Sequence, residues 1–178
     1  MIDKRTMHEA SIRVPMVVRY PAKFTANTAI DEQVLSIGLA PTLVELTRAA
    51  SLPNAQGQSW AQLASGESKD WRSSWLYEYN YEQQFPCTSN VRGVRKGDWK
   101  YVQYPRGDGG ALRHKSELYN IAKDPGEARN RIDDPALKPL IKELQAELAM
   151  LLKQAGANPD TMPIDAGIKT ELPEESIR

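Results

Sequence analysis

The chain has 178 residues, with 23 lysines and arginines, 23 aspartates and glutamates, two histidines and one cysteine. This length fits one domain or a large part of one. The zero formal net charge gives no electrostatic reason to bind nucleic acid or an anionic membrane. No apolar run approaches the roughly 18 residues of a membrane helix. The single Cys87 excludes a disulfide framework and a cysteine-cluster metal site, and residues 1–15 lack the apolar stretch of a signal peptide.

The first half of the chain alternates short apolar segments with polar connections. Residues 14–21, VPMVVRYP, form an apolar run between two prolines, which predicts a buried strand covered on both faces. Without neighbouring strands this segment would expose apolar surface and a pairing edge. Helical spacing predicts a helix at about 39–50, with Pro41 in its first turn. The loop-rich residues 51–74 contain one predicted helical turn, at 60–63.

The middle of the chain has the pattern of a sheet. Residues 75–81, WLYEYNY, alternate aromatic and other side chains with the period of a strand. Residues 91–104 predict a hairpin in which Gly97 supplies a positive φ, and residues 117–121 form a further short strand. We expect four antiparallel strands, at 75–81, 91–95, 99–104 and 117–121.

The last regular element is an amphipathic helix predicted at 136–155. Asp133 or Asp134 can cap its start and Gly156 can end it. Its apolar positions follow i, i+3, i+4, i+7 spacing: Leu137, Leu140, Ile141, Leu144, Leu148, Leu151, Leu152 and Ala155. Residues 157–178 show no period, which indicates an extended or disordered tail.

The residues alone do not form a complete active site. His8 and His114 stand apart from any serine–aspartate pair, and a lone histidine is more often a surface or packing residue. Cys87 has no evident activating partner. Metal motifs such as HExxH and CxxC are absent. The tyrosines of residues 75–81 could form a sugar-stacking platform, but their period of two favours one face of a sheet.

Five blocks, in this order along residues 3 to about 130, resemble the sulfatase family. They are DKRTMHEASIRVPMVVRYP; LAPTLVELTRAA; QGQSWAQLASGE; WLYEYNYEQQFP with VRGVRKGDWKYVQY; and ELYNIAKDPGEARN. The resemblance is strongest to bacterial sulfatases grouped with heparan-type N-sulfoglucosamine sulfohydrolases. It implies an α/β fold, the C-terminal part of an alkaline-phosphatase-like sulfatase, in which an antiparallel sheet of about four strands is packed by the long C-terminal helix.

The same resemblance implies a domain division. Residues 1–50 would supply the last strand and helix of the large α/β domain, and residues 51–74 would connect it to a C-terminal subdomain at 75–156. Residues 157–178 would be the tail.

The resemblance also assigns candidate site residues. A lysine at the position of Lys4 contacts the substrate sulfate in the family, where a compact ammonium stabilises negative charge on the sulfate oxygens. His8 lies where the family has Tyr or His and is a candidate pocket residue. Pro86 and Thr88 lie in a stretch that forms part of the substrate pocket in such enzymes.

The catalytic group and the metal site of the family have no counterpart here. The family's formylglycine arises from a Cys/Ser-x-Pro-x-Arg motif, whereas Cys87 is followed by Thr, Ser and Asn. Its calcium needs several hard oxygen ligands, and the matching motifs are missing. We therefore expect the isolated chain to be an inactive C-terminal fragment of a sulfatase. Its family substrate would be a sulfated small molecule or glycan, hydrolysed at a sulfate ester or sulfamate.

Other interpretations stay open at this point. The chain could work with an N-terminal sulfatase polypeptide that carries the nucleophile motif. It could instead be a non-enzymatic glycan- or protein-binding module, or a truncated gene product without a function of its own.

Overall fold

The computed structural model describes residues 5–66, 69, 71–80, 90–105 and 115–157. The chain divides into two compact units, one of Met1–Val14 with Ser73–Arg178 and the other of Pro15–Arg72. The predicted tail lies outside the described residues, apart from residue 157. Among the residues described, no helix is long and apolar enough to cross a membrane.

The first unit is built on an antiparallel sheet of four strands in the order β1-β2-β3-β4. The strands are β1 Ser74–Tyr79, β2 Val91–Lys96, β3 Trp99–Gln103 and β4 Glu117–Asn120. Their positions confirm the predicted sheet. Gly97, at the β2–β3 turn, has the predicted positive φ of 54°, a conformation that glycine adopts without steric cost.

The helices are α1 Glu9–Ile12 and α3 Lys138–Gln154 in this unit, and α2 Leu39–Thr47 in the other. The start of α3 is prepared by a short 3-10 turn, Pro135–Leu137, which Asp134 caps by accepting a hydrogen bond from the Ala136 N–H at 3.0 Å. Gly156 follows the helix with a φ of 64°. The helix predicted at 136–155 and its cap are confirmed.

One face of the sheet packs against α3. Cross-strand pairing aligns one side chain from each strand in a row across this face: Leu76, Val94, Tyr101 and Leu118. The buried side chains of Leu144 and Leu148 complete this cluster. This is the main apolar core of the first unit, because a sheet face and a helix stripe bury each other.

The opposite face of the sheet is covered by the segment that precedes and includes α1. Met7 is 1% exposed and packs with Val91 and Val102. Gly93 makes room for it, because a Cβ at this position would lie 2.2 Å from the Met7 Sδ. The aromatic side chains at the edge of this cluster are partly buried: Trp75, Tyr77, Tyr79 and Tyr104. Their packing favours a core role for the aromatic face of β1.

The second unit is organised around Thr42 on α2, which is fully buried. Its hydroxyl donates to the Gly38 carbonyl at 2.7 Å and accepts from the Trp60 N–H at 3.1 Å. The helix ends where Arg48 adopts a left-handed φ of 56°. The helical turn predicted at 60–63 is present as a 3-10 helix, Ala61–Ser65.

The buried strand predicted at residues 14–21 is wrong for this chain. Within the described residues this segment has no ladder partner and no strand is assigned to it. Its apolar side chains are exposed, with Val17 at 95% and Val14 at 75%. A strand exists only through hydrogen bonds to a neighbour, so an apolar pattern without a paired segment gives extended, exposed backbone.

The contact between Gly93 and Met7 yields a stability prediction. In Gly93→Ala the new methyl group overlaps Met7, and the Tyr101 carbonyl oxygen lies only 3.1 Å from the added Cβ. We expect a loss of about 1–3 kcal/mol in the free energy of unfolding, the usual cost of overpacking. Urea unfolding followed by tryptophan fluorescence measures it.

Gly126→Ala is the matched control, because no atom lies within 4 Å of a Cβ built there. It should change stability by less than about 0.5 kcal/mol. In the Met7→Ala background the cost of Gly93→Ala should shrink, since the overlapping side chain is gone. Equal costs in both backgrounds would contradict the proposed contact.

Candidate functional site

Of the four sequence-predicted site residues, His8 alone is among the residues that the structure describes. Lys4, Pro86 and Thr88 lie outside the described residues, as do Cys87 and His114. His8 is described, and it lies on the segment that covers the second face of the sheet. The site is therefore built from His8 and the side chains around it.

His8 immediately precedes α1, with an extended backbone at φ −67° and ψ 146°. Its carbonyl accepts the N–H groups of Ser11 and Ile12, at 2.8 Å and 3.1 Å, so the backbone of His8 is fixed by the first turn of the helix. Its Nε2 lies 3.2 Å from Oε2 of Glu117, and its ring centroid lies 5.9 Å from that of Tyr119.

Glu117 is the first residue of β4, and its carboxylate lies beside the imidazole of His8. The Tyr104 hydroxyl donates to its Oε1 at 2.7 Å. Burial alone would raise the pKa of Glu117, but the hydrogen bonds from His8 and Tyr104 outweigh burial, and the pKa lies below its ordinary value. The hydrogen bond to Glu117 raises the pKa of His8 in spite of the opposing effect of burial. Burial raises the pKa of Tyr104 strongly, so its hydroxyl remains a donor.

A second charged cluster lies beside His8 and centres on Lys100 of β3. The Lys100 side chain is fully buried. Its Nζ donates to the Met7 carbonyl at 2.7 Å, to Glu9 Oε1 at 2.6 Å and to Glu127 Oε1 at 2.8 Å. Arg95 Nη1 lies 3.6 Å from Glu9 Oε1. The two positive charges of Lys100 and Arg95 balance the two negative charges of the glutamates. A buried charge needs such a counter-charge.

Glu127 reaches this cluster from a tight turn that follows β4. Asp124 shapes the turn, because its carboxylate accepts the N–H groups of Ala128 and Arg129 at 3.1 Å and 2.9 Å. Glu127 itself has a φ of 53°, which is uncommon for a residue with a side chain. Its Oε2 accepts the Glu9 N–H at 2.6 Å, so the turn is joined to the start of α1.

An open cleft of about 280 Å³ lies between this turn and residues 6–11, which we call the His8 segment. Its lining residues come from two short stretches: Thr6, His8, Glu9, Ala10, Ser11, Pro125, Gly126 and Glu127. The imidazole of His8 and the hydroxyl groups of Thr6 and Ser11 are hydrogen-bonding groups that suit an anionic or hydroxyl-bearing ligand.

The described residues do not offer a calcium site. No group of three or more His, Cys, Asp or Glu side chains among them could hold a metal ion. The carboxylates of Glu9 and Glu127, which are the acidic groups at the cleft, are already bound by Lys100.

Sequence reasoning did not single out Lys100, Glu117 and Glu127. The sequence gives only a weak indication for Lys100. It alternates with apolar residues in β3, and a lysine in such a strand usually points into solvent. Only the packing of the His8 segment on this face makes the position of Lys100 an interior one.

Comparison with known proteins places the chain in a family. The model of the family described as "N-sulphoglucosamine sulphohydrolase, C-terminal" matches residues 1–154. An N-acetylglucosamine-6-O-sulfatase of Bacteroides thetaiotaomicron is 28% identical in an alignment of 158 residues that covers 85% of this chain and 27% of the relative. Arylsulfatase K of Mus musculus is 29% identical in an alignment of 135 residues that covers 71% of this chain and 23% of the relative.

Solved structures agree with these sequence matches. One protein, solved in complex with its substrate D-glucosamine-2-N,6-O-disulfate, superimposes with a TM-score of 0.78 at 25% identity. The superposition covers 89% of this chain and 32% of that protein. A 2-O GAG sulfatase superimposes with a TM-score of 0.60 at 29% identity over 72% of this chain and 26% of its own.

These matches confirm the resemblance stated from the sequence motifs. The fold is that of the C-terminal part of alkaline-phosphatase-like sulfatases, a four-stranded antiparallel sheet with a C-terminal helix. The chain spans about a quarter of the length of the curated relatives compared above, 27% and 23%. The chain belongs to the N-sulphoglucosamine sulphohydrolase C-terminal family of sulfatases.

Proposed function

We propose that this chain supplies the C-terminal side of a sulfatase active site that acts on a sulfated sugar. The observation that carries the proposal is the fixed position of His8, whose imidazole is held by Glu117 beside an open cleft. His8 stands four residues after Lys4, the residue that the sulfatase motif assigns to the substrate sulfate.

The substrate class follows from the relatives. One is an N-acetylglucosamine-6-O-sulfatase, and another was solved with a disulfated glucosamine. Both act on or bind a sulfated hexosamine, so we infer that the sulfated group of this chain's substrate is carried by an amino sugar or a related sugar of a glycan. The reaction would be hydrolysis of a sulfate ester or a sulfamate.

The residues of this chain would contribute positive charge and orientation. The Lys4 ammonium would stabilise the negative charge that develops on the sulfate oxygens and the leaving group. His8, whose raised pKa keeps it protonated to a higher pH than a free histidine, would present a second cation or proton donor at the cleft. Glu117 would orient the imidazole by binding its Nε2.

In the sulfatase family, formylglycine supplies the nucleophile and calcium stabilises negative charge on the sulfate. The sequence around Cys87 lacks the Pro-x-Arg context of a formylglycine precursor. Among the residues that the structure describes, no cluster of three or more His, Cys, Asp or Glu side chains could hold a metal ion. We infer that turnover requires an N-terminal sulfatase polypeptide that carries the Cys/Ser-x-Pro-x-Arg motif.

A glycan-binding module that uses the aromatic face of β1 is less well supported. Trp75, Tyr77 and Tyr79 pack around the Met7 cluster, so their rings are engaged in the core of the first unit. A stacking platform needs open ring faces.

Turnover of an aryl sulfate such as 4-nitrophenyl sulfate tests the proposal. The isolated chain should show none, and co-expression with an N-terminal sulfatase polypeptide should produce it. Lys4→Ala in that pair should lower kcat by about 10²–10³-fold, the cost of removing one charge-stabilising group from an active site.

The matched control is Lys123→Ala, which removes the same charge from an exposed position and should leave kcat unchanged. Turnover by the isolated chain that Lys4→Ala abolishes would contradict the need for a second polypeptide. A co-expressed pair that has no activity, or is indifferent to Lys4→Ala, would contradict the proposed function.

The His8–Glu117 pair predicts a pH-dependent stability. The raised pKa of His8 means that its contribution is complete below the unfolded value of about 6.5 and disappears as the pH rises through the folded value. The lowered pKa of Glu117 means that its contribution is complete above about 4.3–4.5 and disappears in acid. The pair therefore stabilises the chain most between about pH 4.5 and 6.5.

His8→Gln should reduce the free energy of unfolding by about 0.5–1 kcal/mol near pH 5.5. The expected effect is small because the His8 side chain is 36% exposed and solvent screens the ion pair. The difference from the unmodified chain should shrink toward zero near pH 9. Urea unfolding at a series of pH values measures it, with Tyr104→Phe as a control whose effect is constant between about pH 6 and 8. A His8→Gln difference that grows with pH would sink the assignment.

A further inference from the structure

One buried side chain, that of Lys100, binds the residues on both sides of His8. Lys100 Nζ bonds to the carbonyl of Met7 at 2.7 Å and to the carboxylate of Glu9 at 2.6 Å. These are the residues immediately before and after His8. The backbone of His8 therefore has little freedom to move while the Lys100 contacts persist.

We propose that Lys100 and Glu127 are positioning residues of the sulfatase site, which hold the segment that carries His8 against the sheet. This inference rests on the proposed function for the roles of Lys4 and His8. The geometry of the segment itself is independent of it.

The bonding capacity of Lys100 is completely used. An ammonium has three donors, and the acceptors are the Met7 carbonyl, Glu9 Oε1 and Glu127 Oε1. The side chain is 0% exposed, so water cannot replace a lost partner without opening the cluster. The segment is attached to β3 by charge-assisted hydrogen bonds, which are about twice as strong as neutral ones.

Glu127 adds a second attachment from the opposite side. Its Oε1 bonds to Lys100, and its Oε2 accepts the Glu9 N–H at 2.6 Å. It occupies a positive φ of 53°, where a glycine would be free of steric strain. Its carboxylate contacts, rather than the turn, explain why a glutamate is tolerated here, since strained backbone persists where surrounding contacts over-determine it.

This cluster is separate from the main apolar core. It lies on the sheet face opposite α3, whereas the core forms between α3 and the row that contains Val94 and Leu118. Loss of the cluster should therefore release the His8 segment before it unfolds the sheet. A residue with a merely structural role would instead destabilise the unit without changing the surroundings of His8.

The test measures the imidazole pKa of His8 by NMR in the double variant Lys100→Met/Glu127→Gln. This variant removes one positive and one negative charge, whose direct effects on His8 are opposite in direction, and it leaves Arg95 to balance Glu9. With the segment released, the His8–Glu117 contact is lost and the pKa falls toward the free value of about 6.5. An unchanged His8 pKa in the folded double variant would overturn the proposal.

Leu148→Ala is the matched control, because it destabilises the same unit from the α3 side and should leave the His8 pKa unchanged. A similar fall in Leu148→Ala would also overturn the proposal, since it would show that general destabilisation is sufficient. If the double variant does not fold, Glu127→Gly serves instead, because it relieves the positive φ while it removes the carboxylate. Amide hydrogen exchange at Ser11 and Ile12 should then accelerate at least tenfold relative to Tyr101, and equal protection would reject the proposal.

Catalytic activity provides a second test, separate from the NMR measurement. In the pair with an N-terminal sulfatase polypeptide, the double variant should lower kcat about 10–100-fold with a smaller change in KM, because small displacements of catalytic groups are costly. If the unmodified pair shows no turnover, the proposed function fails, while the NMR result still decides whether Lys100 and Glu127 position His8. An unchanged kcat in an active pair would contradict their positioning role.

Discussion

The buried ammonium of Lys100 is the interaction on which the second face of the sheet depends. A lysine that is fully removed from water must find charged or strongly polar partners, because an unpaired buried charge is costly. Here the partners come from the Met7 carbonyl, Glu9 and Glu127, which are distant in sequence from Lys100. Satisfying one side chain therefore draws the N-terminal segment and the turn after β4 to the same place on β3.

The two faces of the sheet are stabilised by different kinds of interaction. The face toward α3 is an apolar core, in which a row of side chains from all four strands buries the leucines of the helix. The opposite face combines a small apolar cluster around Met7 with hydrogen-bonded ionisable groups. Charged networks fix the orientation of the groups that they join, whereas apolar contacts mainly supply stability. His8 and the cleft lie on the charged face.

The four strands and the C-terminal helix could be predicted from sequence because their signals are local. Period-two alternation in β1, Gly97 at a hairpin turn and leucine spacing in α3 each act over a few residues. The strand predicted at residues 14–21 failed for the opposite reason, because a strand is defined by a partner and the described residues supply none. The packing of Met7 against Val91 and Val102 also has no local signal, because these residues are far apart in sequence.

By itself the sequence determined the family and the secondary structure of the sheet unit, because motifs and periodicity lie within continuous stretches. Only the tertiary structure decided which groups surround His8. Glu117, Tyr104, Lys100 and Glu127 are separated from His8 by about a hundred residues and look like ordinary polar residues of strands and turns. They form one cluster around His8 because burial on one face of a sheet requires each charge to have a counter-charge, and that requirement acts on spatial neighbours rather than on neighbours in sequence.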